Sequence, residues 1–126
     1  MQEENFHEKL KKKMDEYVHF VYKITRKFPK EELFGTTSQI RRSALSVILN
    51  YIEGFAREGK KSYLNFLRNS YASLKESKYL LYFSFKENYL DEKDYEIGVK
   101  MAEEIGAMLW QTIRKINHEI TESHNT

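Results

Sequence analysis

Residues 34–57 read F-G-T-T-S-Q-I-R-R-S-A-L-S-V-I-L-N-Y-I-E-G-F-A-R, and this stretch decides the fold. Set at 100° per residue, its apolar side chains cover more than half of a helix circumference. The remaining face gathers Arg42, Ser43, Ser46, Asn50, Glu53, Gly54 and Arg57. A helix that apolar, with small hydrogen-bonding groups on its last face, should touch more than one neighbour. The stretch speaks for helix packing and assembly, and carries no catalytic motif.

Working outward, the 126 residues make one domain, long enough to bury a core without staples. One proline (Pro29) and five glycines are little punctuation, which suits a few long helices. Without cysteine there is no disulfide, thiolate metal site or cysteine nucleophile, as in a reducing cytoplasm. No apolar run approaches the roughly 20 residues of a membrane span, and Met1 to Met14 is too charged for a signal peptide. The chain is therefore expected to be cytoplasmic. Its net charge is only +2, but residues 1–63 hold 13 Lys/Arg against 9 Asp/Glu, and residues 64–126 hold 8 against 10. That polarity allows a basic patch in the first half.

Four helices are predicted, over 6–28, 37–57, 62–87 and 92–118, with 121–126 a frayed tail. The first opens on Asn5 with Glu8 three residues on, and carries Phe6, Leu10, Met14, Tyr17, Val21, Ile24 and Phe28 at three- and four-residue spacing. Pro29 stops it. Thr36 and Gln39 stand in capping-box spacing for the second, which Gly59 follows; Ser62 is the expected cap of the third. Asp91 caps the fourth, with Leu90 and Tyr95 placed for a hydrophobic staple. Short connections between four helices predict an all-α, antiparallel, up-down-up-down four-helix bundle. The stretch Tyr79–Phe85 is apolar nearly all round, more than a monomer easily hides.

No chemistry-bearing constellation survives inspection. His7, His19, His118 and His124 include no i, i+4 pair, so no metal is expected. Neither a cofactor motif nor a phosphate-binding glycine loop occurs, and no nucleophile or base can be named; an enzyme is not expected. Asn50, Glu53 and Arg57 share a face, and the composition favours a hydrogen-bond network to Asn69, Ser73 and Glu76 over an anion site. Arg41 falls in the apolar arc and must snorkel or find a partner. The candidate nucleic-acid contacts are Arg41, Arg42, Arg57, Lys60, Lys61, Lys11, Lys12 and Lys13. Trp110 stands off the core stripe of the fourth helix, where edge packing or a protein contact is favoured over base stacking.

The ordered residues Phe28, Pro29, Leu33, Phe34, Ser38, Gln39, Ile40, Arg41, Arg42 and Ser46, then Asn50, Glu53, Gly54, Phe66, Leu67, Ser73 and Glu76, resemble the bacterial four helix bundle protein family. That family was first noticed as reading frames within intervening sequences of large-subunit ribosomal RNA genes, and the likeness runs from about Phe6 to Ile116. It implies a ring-like homopentamer, with relatives that include the nucleic-acid-binding accessory protein of diversity-generating retroelements. Ser46, Asn50, Glu53, Gly54, Ser73, Glu76 and Trp110 then read as packing and assembly residues. The chain departs from the family in helix two, where Ile48 replaces a proline and Tyr51-Ile52 an Ile-Ala pair, so this helix should run without a kink. The resulting expectation is a non-catalytic homo-oligomer that binds RNA or another nucleic acid. The competing expectation is a scaffold for a protein partner with no nucleic-acid role.

Overall fold

The computed structural model describes residues 5–124. They form four α-helices, α1 (Phe6–Thr25), α2 (Thr36–Ala56), α3 (Lys60–Lys86) and α4 (Glu92–His124), with a 3₁₀ turn at Lys30–Glu32. No strand occurs among the described residues, an arrangement consistent with a four-helix bundle. Each helix packs on its neighbours in sequence, and α1 closes the circuit against α4.

Helix α1 starts where its capping signal lies, the Asn5 Oδ1 accepting from the Glu8 amide at 2.8 Å. It ends at Thr25, three residues before the expected boundary. The Thr25 hydroxyl turns back to the Val21 and Tyr22 carbonyls at 2.7 and 3.1 Å, and the residue ahead of Pro29 is disfavoured in helical geometry. Phe28, outside the helix, is still buried.

The start of α2 is capped from outside. Glu32 Oε1 accepts from the Thr36 amide at 3.3 Å and from its hydroxyl at 2.6 Å, in place of the expected Thr36–Gln39 box. A carboxylate there also complements the helix dipole. Helix α2 then runs unbroken to Ala56. Gly59, at φ +90°, opens α3 at Lys60, so Ser62 lies inside the helix instead of capping it. Asp91 caps α4 as its sequence implies, its Oδ1 accepting from the Asp94 amide at 2.8 Å. Helix α4 continues through residues 121–124, which replaces the expected frayed tail there, while residues 125–126 lie outside the described residues.

The core stacks Leu10, Met14, Tyr17, Val21 and Ile24 of α1 on Ile40, Ala44, Val47 and Tyr51 of α2, with Leu67, Leu74 and Leu81 of α3 and Ile105 and Leu109 of α4. Helix α3 contributes a heptad seam in which Leu67, Leu74 and Leu81 alternate with Ser70, Ser77 and Ser84, all buried. The serines let neighbouring helices approach, and each hydroxyl donates to a backbone carbonyl, of Val47, Leu74 and Leu80 respectively. Ser77 also meets the Tyr17 hydroxyl at 2.7 Å, and burial pushes that phenol up to about 12.

Candidate functional site

The eight basic candidates do not share one fate. Arg41 turns inward: its Nε donates to Thr25 Oγ1 at 2.8 Å, its Nη2 to the Tyr22 carbonyl at 3.4 Å, and its guanidinium lies 4.7 Å from the Tyr22 ring centroid. It joins α2 to the end of α1 and leaves little for a ligand. Arg57 bonds Glu53 at 2.6 Å and covers the Phe66 ring at 5.2 Å. Lys13 pairs with Glu104 at 3.2 Å and Lys60 with Glu119 at 3.8 Å. Arg42, Lys61, Lys11 and Lys12 are exposed and make no ion pair among the described residues. Lys11 of α1 lines a cavity with Tyr51, Ile52, Phe55 and Ala56 at the C-terminal end of α2, whereas Arg42 stands in the other half of α2.

The polar face of α2 satisfies itself. Asn50 Nδ2 donates to the Ser46 carbonyl at 2.8 Å and Glu53 takes its own-helix Arg57, so no hydrogen bond joins Asn50 or Glu53 to Asn69, Ser73 or Glu76 among the described residues. The expected network is replaced by backbone proximity. Gly54 is buried so closely on α3 that a β-carbon there would meet Phe66 Cβ at 2.7 Å. Ser73 is half-buried and Glu76 exposed.

A cavity of about 380 Å³ opens between the start of α1 and the end of α2, lined by His7, Lys11, Tyr51, Ile52 and Phe55 among others. His7 Nδ1 lies 2.6 Å from the Tyr51 hydroxyl, and the His7 ring packs 4.8 Å from that of Phe55. Burial, then the Lys115 ammonium, holds the His7 imidazole below its ordinary value. Burial, then the neighbouring Tyr63 phenol, pushes Tyr51 well above a free tyrosine. A neutral imidazole against an un-ionised phenol can orient a polar ligand. No group of three or more His, Asp or Glu residues stands close enough to hold a metal among the described residues. This pairing joins residues 44 apart in sequence, and nothing local in either segment announces it.

Trp110 is half-exposed beside Tyr71 of α3, ring centroids 5.5 Å apart. A basic set drawn entirely from residues 1–63 misses Arg68, Lys75 and Lys86 of α3, which are exposed. Their signal is a spacing of seven and eleven residues, two and three turns of a helix, legible in the sequence. Among the described residues no helix is long and apolar enough to cross a membrane.

Known proteins supply the family. A solved structure of a protein with unknown function from the S23 ribosomal protein family, from Bacteroides thetaiotaomicron VPI-5482, matches with a TM-score of 0.75. Its sequence is 23% identical, over 82% of this chain and 97% of that one, a likeness that shows the fold. No functionally curated protein matches. The family model described as 23S rRNA-intervening sequence protein matches residues 7–111, and the chain belongs to that family.

Proposed function

We propose that this chain is a non-catalytic, self-associating helical bundle that binds RNA or another nucleic acid through its basic surface. Up-down-up-down topology is supported by pairs that run in opposite order along adjacent helices: His7 with Tyr51 and Thr25 with Arg41, then Val47 with Ser70 and Gly54 with Phe66. Tyr71 with Trp110 and Leu81 with Gly98 do the same for α3 and α4, as do Lys13 with Glu104 and Phe20 with Gly98 for α1 and α4.

The observation that carries self-association is the outer face of α2. Leu45, Leu49, Ile52 and Phe55 are 38–58% exposed on a helix that already buries its opposite side. A continuous apolar row of that kind is what an assembly interface requires. A second copy of the chain is its proposed occupant, and the family likeness supports a ring, of five subunits by that likeness. Nucleic-acid binding draws support from Arg42, Lys11, Lys12 and Lys61, whose charges are not consumed by ion pairs, and which a ring would repeat around its surface.

A mobility-shift assay with structured ribosomal RNA fragments tests this reading. Binding that weakens steeply from low to moderate salt is expected, since released counterions would drive it. Absence of a salt-sensitive shift would remove nucleic acid from the function.

A further inference from the structure

Helix α3 presents one unbroken exposed ridge. Its positions recur at four-three spacing along the helix: Lys61, Arg68, Lys75, Tyr79, Tyr82 and Lys86, with Asn65 and Ala72 filling the gaps, all exposed. At 1.5 Å per residue the ridge spans about 37 Å. It holds four cations and no carboxylate, in a chain where acids and bases nearly balance. None of the four makes an ion pair among the described residues. Acids border the ridge without lying on it: Glu76 on the flank of α3, Glu87 just past its end, and Glu103 of α4, which lines a small cavity with Lys75, Lys78 and Trp110.

The aromatic residues on this face are placed for stacking. Tyr79 and Tyr82 are 60% and 46% exposed, with ring centroids 6.2 Å apart, and the inner side of Tyr82 meets Tyr95 of α4 at 6.4 Å. Lys75 Nζ lies 5.2 Å from the Tyr71 ring centroid, and Tyr71 in turn meets half-exposed Trp110. Cations aligned with flat, solvent-facing rings match the two parts of a single strand, its phosphates and its unpaired bases. The α2 face, by contrast, is a row of aliphatic side chains and one phenylalanine, suited to protein.

We infer that the α3 ridge from Lys61 to Lys86 is a binding track for single-stranded nucleic acid, with Tyr79 and Tyr82 stacking on bases. The inference rests on the nucleic-acid reading above, but it locates binding on residues which that reading does not need, Lys61 excepted. A duplex keeps its bases stacked on one another and would use the cations alone.

The test is fluorescence anisotropy on the full chain, with a labelled mixed-sequence RNA oligonucleotide of about 20 nucleotides, single-stranded and as its duplex. Anionic lipid vesicles serve as a third probe. The single strand is expected to bind at least about tenfold more tightly than the duplex. Arg68→Glu with Lys75→Glu should weaken both RNA forms. Tyr79→Ala with Tyr82→Ala should cost the single strand about tenfold or more and the duplex little, and Tyr79→Phe with Tyr82→Phe should restore it. Thermal melting and native mass of each variant check that fold and assembly are unchanged. Binding by the unaltered chain that no ridge variant weakens would overturn the ridge assignment and leave the broader reading standing. No RNA binding by the unaltered chain would overturn both. Equal binding of duplex and single strand, a preference for vesicles, or ridge variants that change the native mass would each overturn the inference.

Discussion

Gly54 of α2 faces Phe66 of α3 at a separation that leaves no room for a side chain, with an added β-carbon falling 2.7 Å from Phe66 Cβ. Alanine normally stabilises a helix interior over glycine by about 1 kcal/mol. Here the obstructing atom is a β-carbon tied to the backbone, so the helices themselves must part. Gly54→Ala should destabilise by about 1–3 kcal/mol in urea unfolding. Gly106→Ala is the control: its β-carbon would lie 3.5 Å from Leu74 Cδ2, ordinary contact, and it should gain about 0.5–1 kcal/mol.

Arg41 should matter to stability. Replacing it with methionine removes the bond to Thr25 Oγ1 and the cover over Tyr22, and should cost about 1–2 kcal/mol. Lysine should not rescue it, since it lacks the planar Nε donor. Thr25→Val with Arg41→Met should cost less than the sum of the two, measured as a double-mutant cycle by urea unfolding.

His7 supplies the pH prediction. The unfolded chain protonates this imidazole near its ordinary 6.5, and the folded chain only at lower pH, because of burial and Lys115. Between those values the unfolded state holds more protons, so stability falls as pH drops through 6.5 toward the folded value. Lys11 and Glu8 line the same cavity and leave that sign in place. His7→Gln keeps an acceptor for the Tyr51 hydroxyl and has no titration. Its unfolding free energy should change less than that of the unaltered chain between about pH 7.5 and about pH 5.5. An identical loss in both would show that His7 is not the group responsible.

Periodicity made α1 and its core stripe legible, and the side chains of Asn5 and Asp91 gave two helix starts because each cap is local. The start of α2 was not readable in the same way. Glu32 reaches it from the 3₁₀ turn Lys30–Glu32, and the Thr36–Gln39 spacing gives no sign of that turn. Asn50 and Glu53 looked like cross-helix groups because spacing shows only which face they share, not which partner is nearer; both found one four residues away. Arg41 could be read as needing a partner, yet Thr25 and Tyr22 are 16 and 19 residues distant and only tertiary packing selects them.

Self-association through α2 is the central claim, and light scattering at micromolar concentration tests it most directly. The account predicts a mass that is a multiple of the 15.2 kDa chain, and a return to 15.2 kDa when Leu49→Glu and Ile52→Glu place charges on the exposed row. A mass of 15.2 kDa for the unaltered chain would contradict it.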